Sequence, residues 1–209
     1  MTSGDFCWMD LKTHDLAGTV KQLATRLGWQ CAVDPDDWRR ATVISIGGYP
    51  IGTLSDLSAP IYPPGTPPHV AFYLAVDDAD RRAEAAAAQG AQVLVPPFDA
   101  GDQGRIATLI DPFGAVVSLW QRTPGHGWRH PAGLRNAPYR MVLTCPDPDR
   151  TAHFYRDALG APLHHADLRL SAAVASPPQW QLALSSDHNA SASTDEGITF
   201  SMESRFTPS

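Results

Sequence analysis

The chain repeats one arrangement three times, and that repeat limits what it can fold into. Each copy has a strand, an aspartate placed to cap a helix, and a glycine placed to stop it. Asp15 and Gly28, Asp78 and Gly90, and Asp147 and Gly160 bound the helices, 13, 12 and 13 residues from cap to stop. The capping positions lie 63 and 69 residues apart. An aspartate at such a position accepts hydrogen bonds from first-turn N–H groups, and glycine enters the left-handed conformation that ends a helix. A period of this length predicts an internal repeat of one supersecondary unit.

The middle copy, His69 to Gln121, shows the unit most clearly. Val70, Phe72, Leu74 and Val76 alternate with His69, Ala71, Tyr73 and Ala75, as a strand with one apolar face requires. An alanine-rich helix follows Asp78, and QVLVPPFD, GRIATLID and AVVSLWQ read as three further strands between Pro-Pro, Gly and Asp-Pro-Phe-Gly punctuation. The first copy repeats this grammar. Leu16, Val20, Leu23, Ala24 and Leu27 mark its helix face, and WQCAV, RATVISIG and YPIGTLSDL are its strands. SAPIYPPGTPP is a proline-stiffened crossover into the middle copy, and RTPGHGWRHPAGLRNAP after Gln121 reads as a linker. The third copy begins at Tyr139, with strands expected at PLHHA, SAAVA and WQLALSS. DHNASASTDEG is expected to be polar and mobile, and GITFSMES to form a last strand.

The fold expected is α+β, built of tandem βαβββ units. Residues 1–121 hold two units paired around a cavity, 122–138 a linker, and 139–209 a third, unpaired unit. An odd unit leaves a concave face without a mate, which predicts either a homodimer completing a barrel across the subunits or a lid on the first pair.

Charge narrows the function. A net charge of −6, with no basic run, argues against nucleic acid as a partner. Basic charge is carried by 14 Arg and 2 Lys, which reads as codon bias and not as chemistry. Cys7, Cys31 and Cys145 are odd in number and far apart, so neither a disulfide framework nor a zinc motif is expected. No signal-peptide pattern or transmembrane run is present, and a cytoplasmic protein with no membrane partner is expected.

HVAFYLAVDDAD, IDPFGAVVSLWQ and PDPDRTAHFYRDALG, set in this tandem repeat, resemble the vicinal oxygen chelate superfamily of glyoxalases, extradiol dioxygenases and bleomycin-resistance proteins. That resemblance implies a metal held by His and Glu on the first and last strands of paired units. Counted from the capping aspartates, the first-strand positions hold Trp8, Ala71 and Arg140. The last-strand positions fall on Ser118 and Gly197. None is a familiar metal ligand. No cofactor is therefore expected, although a divalent metal on shifted ligands stays open.

Strand parity then offers other chemistry. Trp8, Asp10 and Lys12 share a face; His69 and Tyr73 flank Ala71; Ser118 and Trp120 share a face. Such a set suits holding a flat, conjugated small molecule and moving protons on it. Asp10 is the candidate base, or a carboxylate paired with Lys12. His69 is a candidate acid, a rim histidine or a shifted ligand. Tyr73 and Ser118 are placed to polarise an oxygen, and Trp8 and Trp120 to stack or to fill the core. Arg140 would clamp a carboxylate or phosphate, or form a salt bridge at a subunit contact. The adjacent His164 and His165 point to opposite faces, and the loop pair His126 and His130 lacks a carboxylate, so neither is read as a metal cluster.

The leading expectation is a metal-independent cyclase, isomerase or lyase acting by proton transfer on an aromatic or polyketide-like natural-product intermediate. A metal-free protein that sequesters a drug or metabolite is the alternative. A glyoxalase- or dioxygenase-type enzyme with shifted ligands such as His69 with Asp10 is the third.

Overall fold

The computed structural model of the chain describes residues 4–35, 40–171 and 177–204. It forms two compact bodies that interleave along the sequence. The first holds Met1–Cys7, Phe72–Gly127 and Arg140–Gln181, and the second Trp8–Ala71, Trp128–Tyr139 and Leu182–Ser209.

The second body carries most of β1 (Phe6–Thr13), then α1 (Leu16–Leu27), β2 (Gln30–Val33), β3 (Thr42–Ile46) and β4 (Tyr49–Asp56). The strand order is β2-β3-β4-β1, antiparallel until β4 meets β1 in parallel. The capping residues act as their chemistry demands. Asp15 accepts from the Gly18 N–H, and a Cβ at Gly18 would lie 2.0 Å from the capping carboxylate. Gly28 ends α1 at φ 68.

The inner face of α1 differs from the expected stripe. Leu23 and Leu27 are buried, but Ala24 is exposed and Thr19 takes the inner position one turn earlier. There its hydroxyl lies 2.9 Å from Thr13 Oγ1, so a polar pair occupies part of the helix–sheet seam. Close strand approach also fixes Gly52, where a Cβ would sit 2.6 Å from Met9 Cγ and 2.8 Å from Met9 O.

From Trp128 onward, the segment read as a linker is held in the second body by its side chains. Trp128 is 7% exposed, and its indole donates to Ile51 O at 2.6 Å. Asn136, at φ 58, donates to Leu27 O and accepts from the fully buried Trp29 through its own carbonyl. The Trp29 ring meets Phe200 edge to face at 5.2 Å.

In the same body, residues 182–186 of β11 (Trp180–Ser186) run parallel to β13 (Thr199–Ser204), which pairs antiparallel with β12 (Ala190–Ser193). β12 lies inside the stretch expected to be mobile. Its polar side chains fit an edge strand whose stability comes from backbone pairing, which composition does not report. The following loop is tied to α1 and its entrance. Asp195 accepts from Gln22 and Arg26, and Glu196 accepts from the Thr13 hydroxyl and the His14 N–H.

The first body repeats the grammar with β5 (His69–Ala75), α2 (Ala79–Ala88), β6 (Gln92–Asp99), β7 (Gly104–Ile110) and β8 (Val116–Arg122). Of β5, residues 72–75 belong here, and the order is β5-β8-β7-β6. Ala79, Ala83 and Ala86 form the buried face of α2, and small side chains there let the helix lie close on the sheet. β6 ends this order. Its pairing with β7 slips at Val93/Val95 and again at Val95/Phe98, the second slip spanning Pro96 and Pro97, which have no N–H to donate.

The third copy's β9 (Pro138–Cys145), α3 (Pro148–Asp157) and β10 (Ala166–Leu170) follow. Here β10 pairs with β9 directly in parallel, where the earlier copies insert a three-strand meander. The histidines of PLHHA lie in the turn before β10. Residues 172–175 of the expected SAAVA strand lie outside the described residues. Tyr155 on α3 joins a buried chain of hydrogen bonds. Trp180 Nε1 donates to Tyr155 Oη at 2.8 Å, and Tyr155 donates to Asp111 Oδ2 at 3.2 Å. The other oxygen of Asp111 accepts from the N–H groups of Phe113 and Ala115.

Candidate functional site

The parallel register of β1 with β4 builds a polar interior cluster in the second body. Asp10 lies opposite Thr53 and Lys12 opposite Ser55, so four polar side chains meet on neighbouring strands. Asp10 is 3% exposed. Its Oδ1 accepts from Thr53 Oγ1 at 3.0 Å and Ser55 Oγ at 2.8 Å, and its Oδ2 accepts from Lys12 Nζ at 2.5 Å. A buried carboxylate is tolerable only when paired and hydrogen-bonded, and here both conditions are met. Lys12 reaches onward. Its Nζ donates to Tyr62 Oη at 3.2 Å and lies 4.7 Å from the Tyr62 ring centre.

Asp10 is therefore a carboxylate paired with Lys12, with each oxygen already accepting hydrogen bonds. That arrangement stores charge well and offers little room to take a proton from a ligand directly. Trp8 is half-buried on the same strand face. His69 is half-buried, and its Nδ1 lies 2.8 Å from Pro67 O. A carbonyl only accepts, so Nδ1 carries the hydrogen and Nε2 of the neutral ring keeps its lone pair. That suits a proton acceptor.

In the first body, Tyr73 pairs in register with Ser118. Ser118 is 2% exposed and shares a 2.9 Å hydrogen bond with Thr108. Trp120 is 4% exposed, donates to Gln103 O at 2.8 Å, and meets the half-buried Tyr73 ring edge to face at 5.9 Å. Ser118 and Trp120 thus fill packed interior, not an open wall. Parity puts them on one face, but parity does not report whether that face is covered. Arg140 donates to both Asp167 oxygens, at 3.0 and 2.9 Å, and Arg169 adds a third contact, so the Arg140 ion pair lies within the chain, where the sequence reading expected an anion clamp or a subunit contact.

Three contributors to the Asp10 cluster escaped the sequence reading. Thr53 and Ser55 alternate along β4 at a spacing that faces β1, which was a usable signal. Tyr62 sits among prolines in a stretch read only as a spacer.

The residues do not fit a divalent cation. Trp8, Ala71 and Arg140 offer no lone pair to one, and Ser118 is committed to Thr108. Among the described residues, no three His, Cys, Asp or Glu side chains converge. The shifted pair fares no better, since Asp10 is bonded to Lys12, Thr53 and Ser55 while His69 is turned to Pro67.

Residues 8–119 match the model of the Glyoxalase/Bleomycin resistance protein/Dioxygenase superfamily. The chain belongs to that superfamily. CFP32 of Mycobacterium tuberculosis, a superfamily relative whose name assigns it to the glyoxylases only provisionally, is 31% identical over 170 residues. That match takes in 79% of this chain and 62% of CFP32, so the chain spans about three fifths of that relative. The anthracycline biosynthesis protein DauV of a Streptomyces species is 26% identical over 73% of this chain and 59% of its own length. Among solved superfamily structures, a Mn(II)-bound glyoxalase from Novosphingobium aromaticivorans aligns over 98% of this chain and 83% of its own, with TM-score 0.68 and 13% identity. A 2,2',3-trihydroxybiphenyl 1,2-dioxygenase from Sphingomonas wittichii aligns over 97% and 91%, with TM-score 0.62 and 14% identity. At such identities the structural likeness establishes the superfamily fold and nothing of the chemistry. Among the described residues, no helix is long and apolar enough to cross a membrane.

Proposed function

We propose that the protein is a metal-independent enzyme that moves protons on an aromatic, polyketide-like small molecule. The observation that carries this reading is the buried Asp10–Lys12 pair, braced by Thr53 and Ser55 and extended to Tyr62. A fixed ammonium in a desolvated setting stabilises an oxyanion forming beside it, as enolisation, cyclisation or elimination each require. Asp10 holds that ammonium in place. His69, with Nε2 open, supplies the base, and Trp8 supplies a flat apolar surface. The lack of His, Cys, Asp and Glu side chains at the superfamily's ligand positions supports a route without metal. The anthracycline name of DauV supports an aromatic polyketide as the substrate class. A homodimer remains part of this proposal.

Anthrone, a tricyclic ketone with an acidic methylene, is a suitable probe. The chelator-treated protein, mixed with anthrone in D2O under nitrogen, is expected to speed loss of the methylene proton signal above the buffer rate. His69→Ala should remove that gain. A rate equal to buffer, or one that depends on added metal, overturns the reading.

The saturation of Asp10 by its donors favours a second reading, a protein that binds such a molecule without turning it over. Quenching of tryptophan fluorescence by anthrone without any exchange would select it.

A further inference from the structure

We propose that Tyr62 is the proton donor of this site, an inference that rests on reading the Asp10 cluster as a proton-transfer centre. Lys12 Nζ lies 3.2 Å from the Tyr62 hydroxyl oxygen. An ammonium can only donate, so the Tyr62 oxygen accepts and its own hydrogen is directed elsewhere. Among the described residues, the contact with Lys12 is the hydrogen bond that this hydroxyl makes. Tyr62 is half-buried, so its O–H can meet a ligand while the ring stays anchored.

The crossover that carries Tyr62 is pinned at several points, which places the phenol reproducibly. Tyr62 N–H donates to Ala59 O at 3.1 Å and Thr66 N–H to Pro63 O at 3.2 Å. The Thr66 hydroxyl closes the same turn on Pro63 O at 2.7 Å, and the Thr66 carbonyl meets His14 Nε2 at 2.9 Å. Beyond it, the Pro67 carbonyl holds His69 Nδ1. One short stretch therefore bears both the phenol and the imidazole, and prolines limit how far either can stray.

The step balances with these side chains and solvent water as proton carrier. The substrate C–H bond breaks and its proton passes to Nε2 of His69. The C–H electron pair forms the new C=C bond, and the carbonyl π electrons become a lone pair on oxygen. That oxygen takes the Tyr62 proton, giving the enol and a phenolate. Lys12 reprotonates the phenolate, and the imidazolium returns its proton to Lys12 through water. In this sequence Tyr62 touches the substrate, while Asp10 positions Lys12.

The test is anthrone exchange in D2O by wild type and Tyr62→Phe, with anthrone affinity followed by tryptophan quenching and folding by thermal melt. The phenylalanine variant is expected to keep its melting temperature and affinity and to lose about a hundredfold in rate, the scale of a general acid. A second variant carries 3-fluorotyrosine at position 62, a more acidic phenol of nearly the same shape. Its rate should change in step with phenol acidity, whereas a purely structural tyrosine would leave it unchanged. Wild-type rates in both variants, with His69→Ala still inactive, overturn the role of Tyr62 and leave the proton-transfer reading standing. No exchange by the wild type overturns both.

Discussion

Asp10 and Lys12, two residues apart on one strand, form an ion pair of 2.5 Å in which both side chains are largely withdrawn from water. Neighbouring hydroxyls complete the coordination of the carboxylate, so the pair is a fixed charge distribution and not a loose surface contact. Replacing Lys12 with Met leaves that carboxylate without its counter-charge and should cost about 3 kcal/mol, the usual scale for an orphaned buried charge. The double variant Asp10→Asn with Lys12→Met should recover much of the loss. Urea unfolding of wild type, Lys12→Met, Asp10→Asn and the double variant measures the coupling, and additive losses would show that the pair does not act as a unit.

Asp77 offers a test in pH. Hydrogen bonds from Arg82, with a smaller contribution from Arg81, hold its carboxyl at about 2, below the ordinary 3.8. A depressed carboxyl stabilises the fold above its unfolded value and loses that effect as pH falls through its folded value. The stability gap between wild type and Asp77→Asn should therefore stay level from about pH 5 upward and close between about pH 4 and about pH 2. Because the Asp77 side chain is 45% exposed, the gap should not exceed about 1 kcal/mol.

Removing the Tyr155 hydroxyl strands two buried groups, the Trp180 indole N–H and Asp111 Oδ2. Tyr155→Phe should cost about 3 kcal/mol, since each unsatisfied buried group carries a penalty of about 1–3 kcal/mol. Burial raises the Asp111 carboxyl and the Tyr155 hydrogen bond opposes that rise. The penalty falls mainly on the ionised carboxylate. The deficit should be largest at neutral pH and shrink as Asp111 is protonated, which unfolding curves at several pH values would show.

The thiols should separate by burial. Cys7 is fully buried and its thiol is pushed up to about 12, mainly by desolvation, while Cys145 is buried as well. Cys31 is half-buried on β2, and its thiol is raised by the same cause. At pH 8 an aromatic disulfide reagent should label Cys31 slowly in the folded protein and all three cysteines once it is unfolded. Fast labelling of Cys7 in the folded state would contradict its burial.

Where local chemistry decides structure, the sequence was legible. Asp15, Asp78 and Asp147 cap helices because a carboxylate there satisfies N–H groups that have no other partner, whatever the tertiary context. QVLVPPFD is β6 residue for residue. Long-range packing was not legible. Nothing in the composition of residues 122–138 says that Trp128 will reach Ile51 or that Asn136 will receive Trp29, since those partners lie 77 and 107 residues away. The candidate site shows the same division. Parity grouped Trp8, Asp10 and Lys12, and grouped Ser118 with Trp120, but could not tell a satisfied interior from an open cavity. Tyr62 was missed because a proline-rich stretch reads as a connector until its side chains are placed.

β6 carries exposed Leu94, Val95 and Phe98 at the end of its strand order. A flat apolar strand in that place would invite a second chain to add to it and then a third, the beginning of a fibre. Pro96 and Pro97 withhold two adjacent N–H groups, and the register slips at Val93/Val95 and Val95/Phe98 break the regular ladder a stacking strand needs. The prolines thus guard against self-association while leaving the apolar side chains in place. At this edge, resistance to aggregation is written into the backbone and not into surface charge.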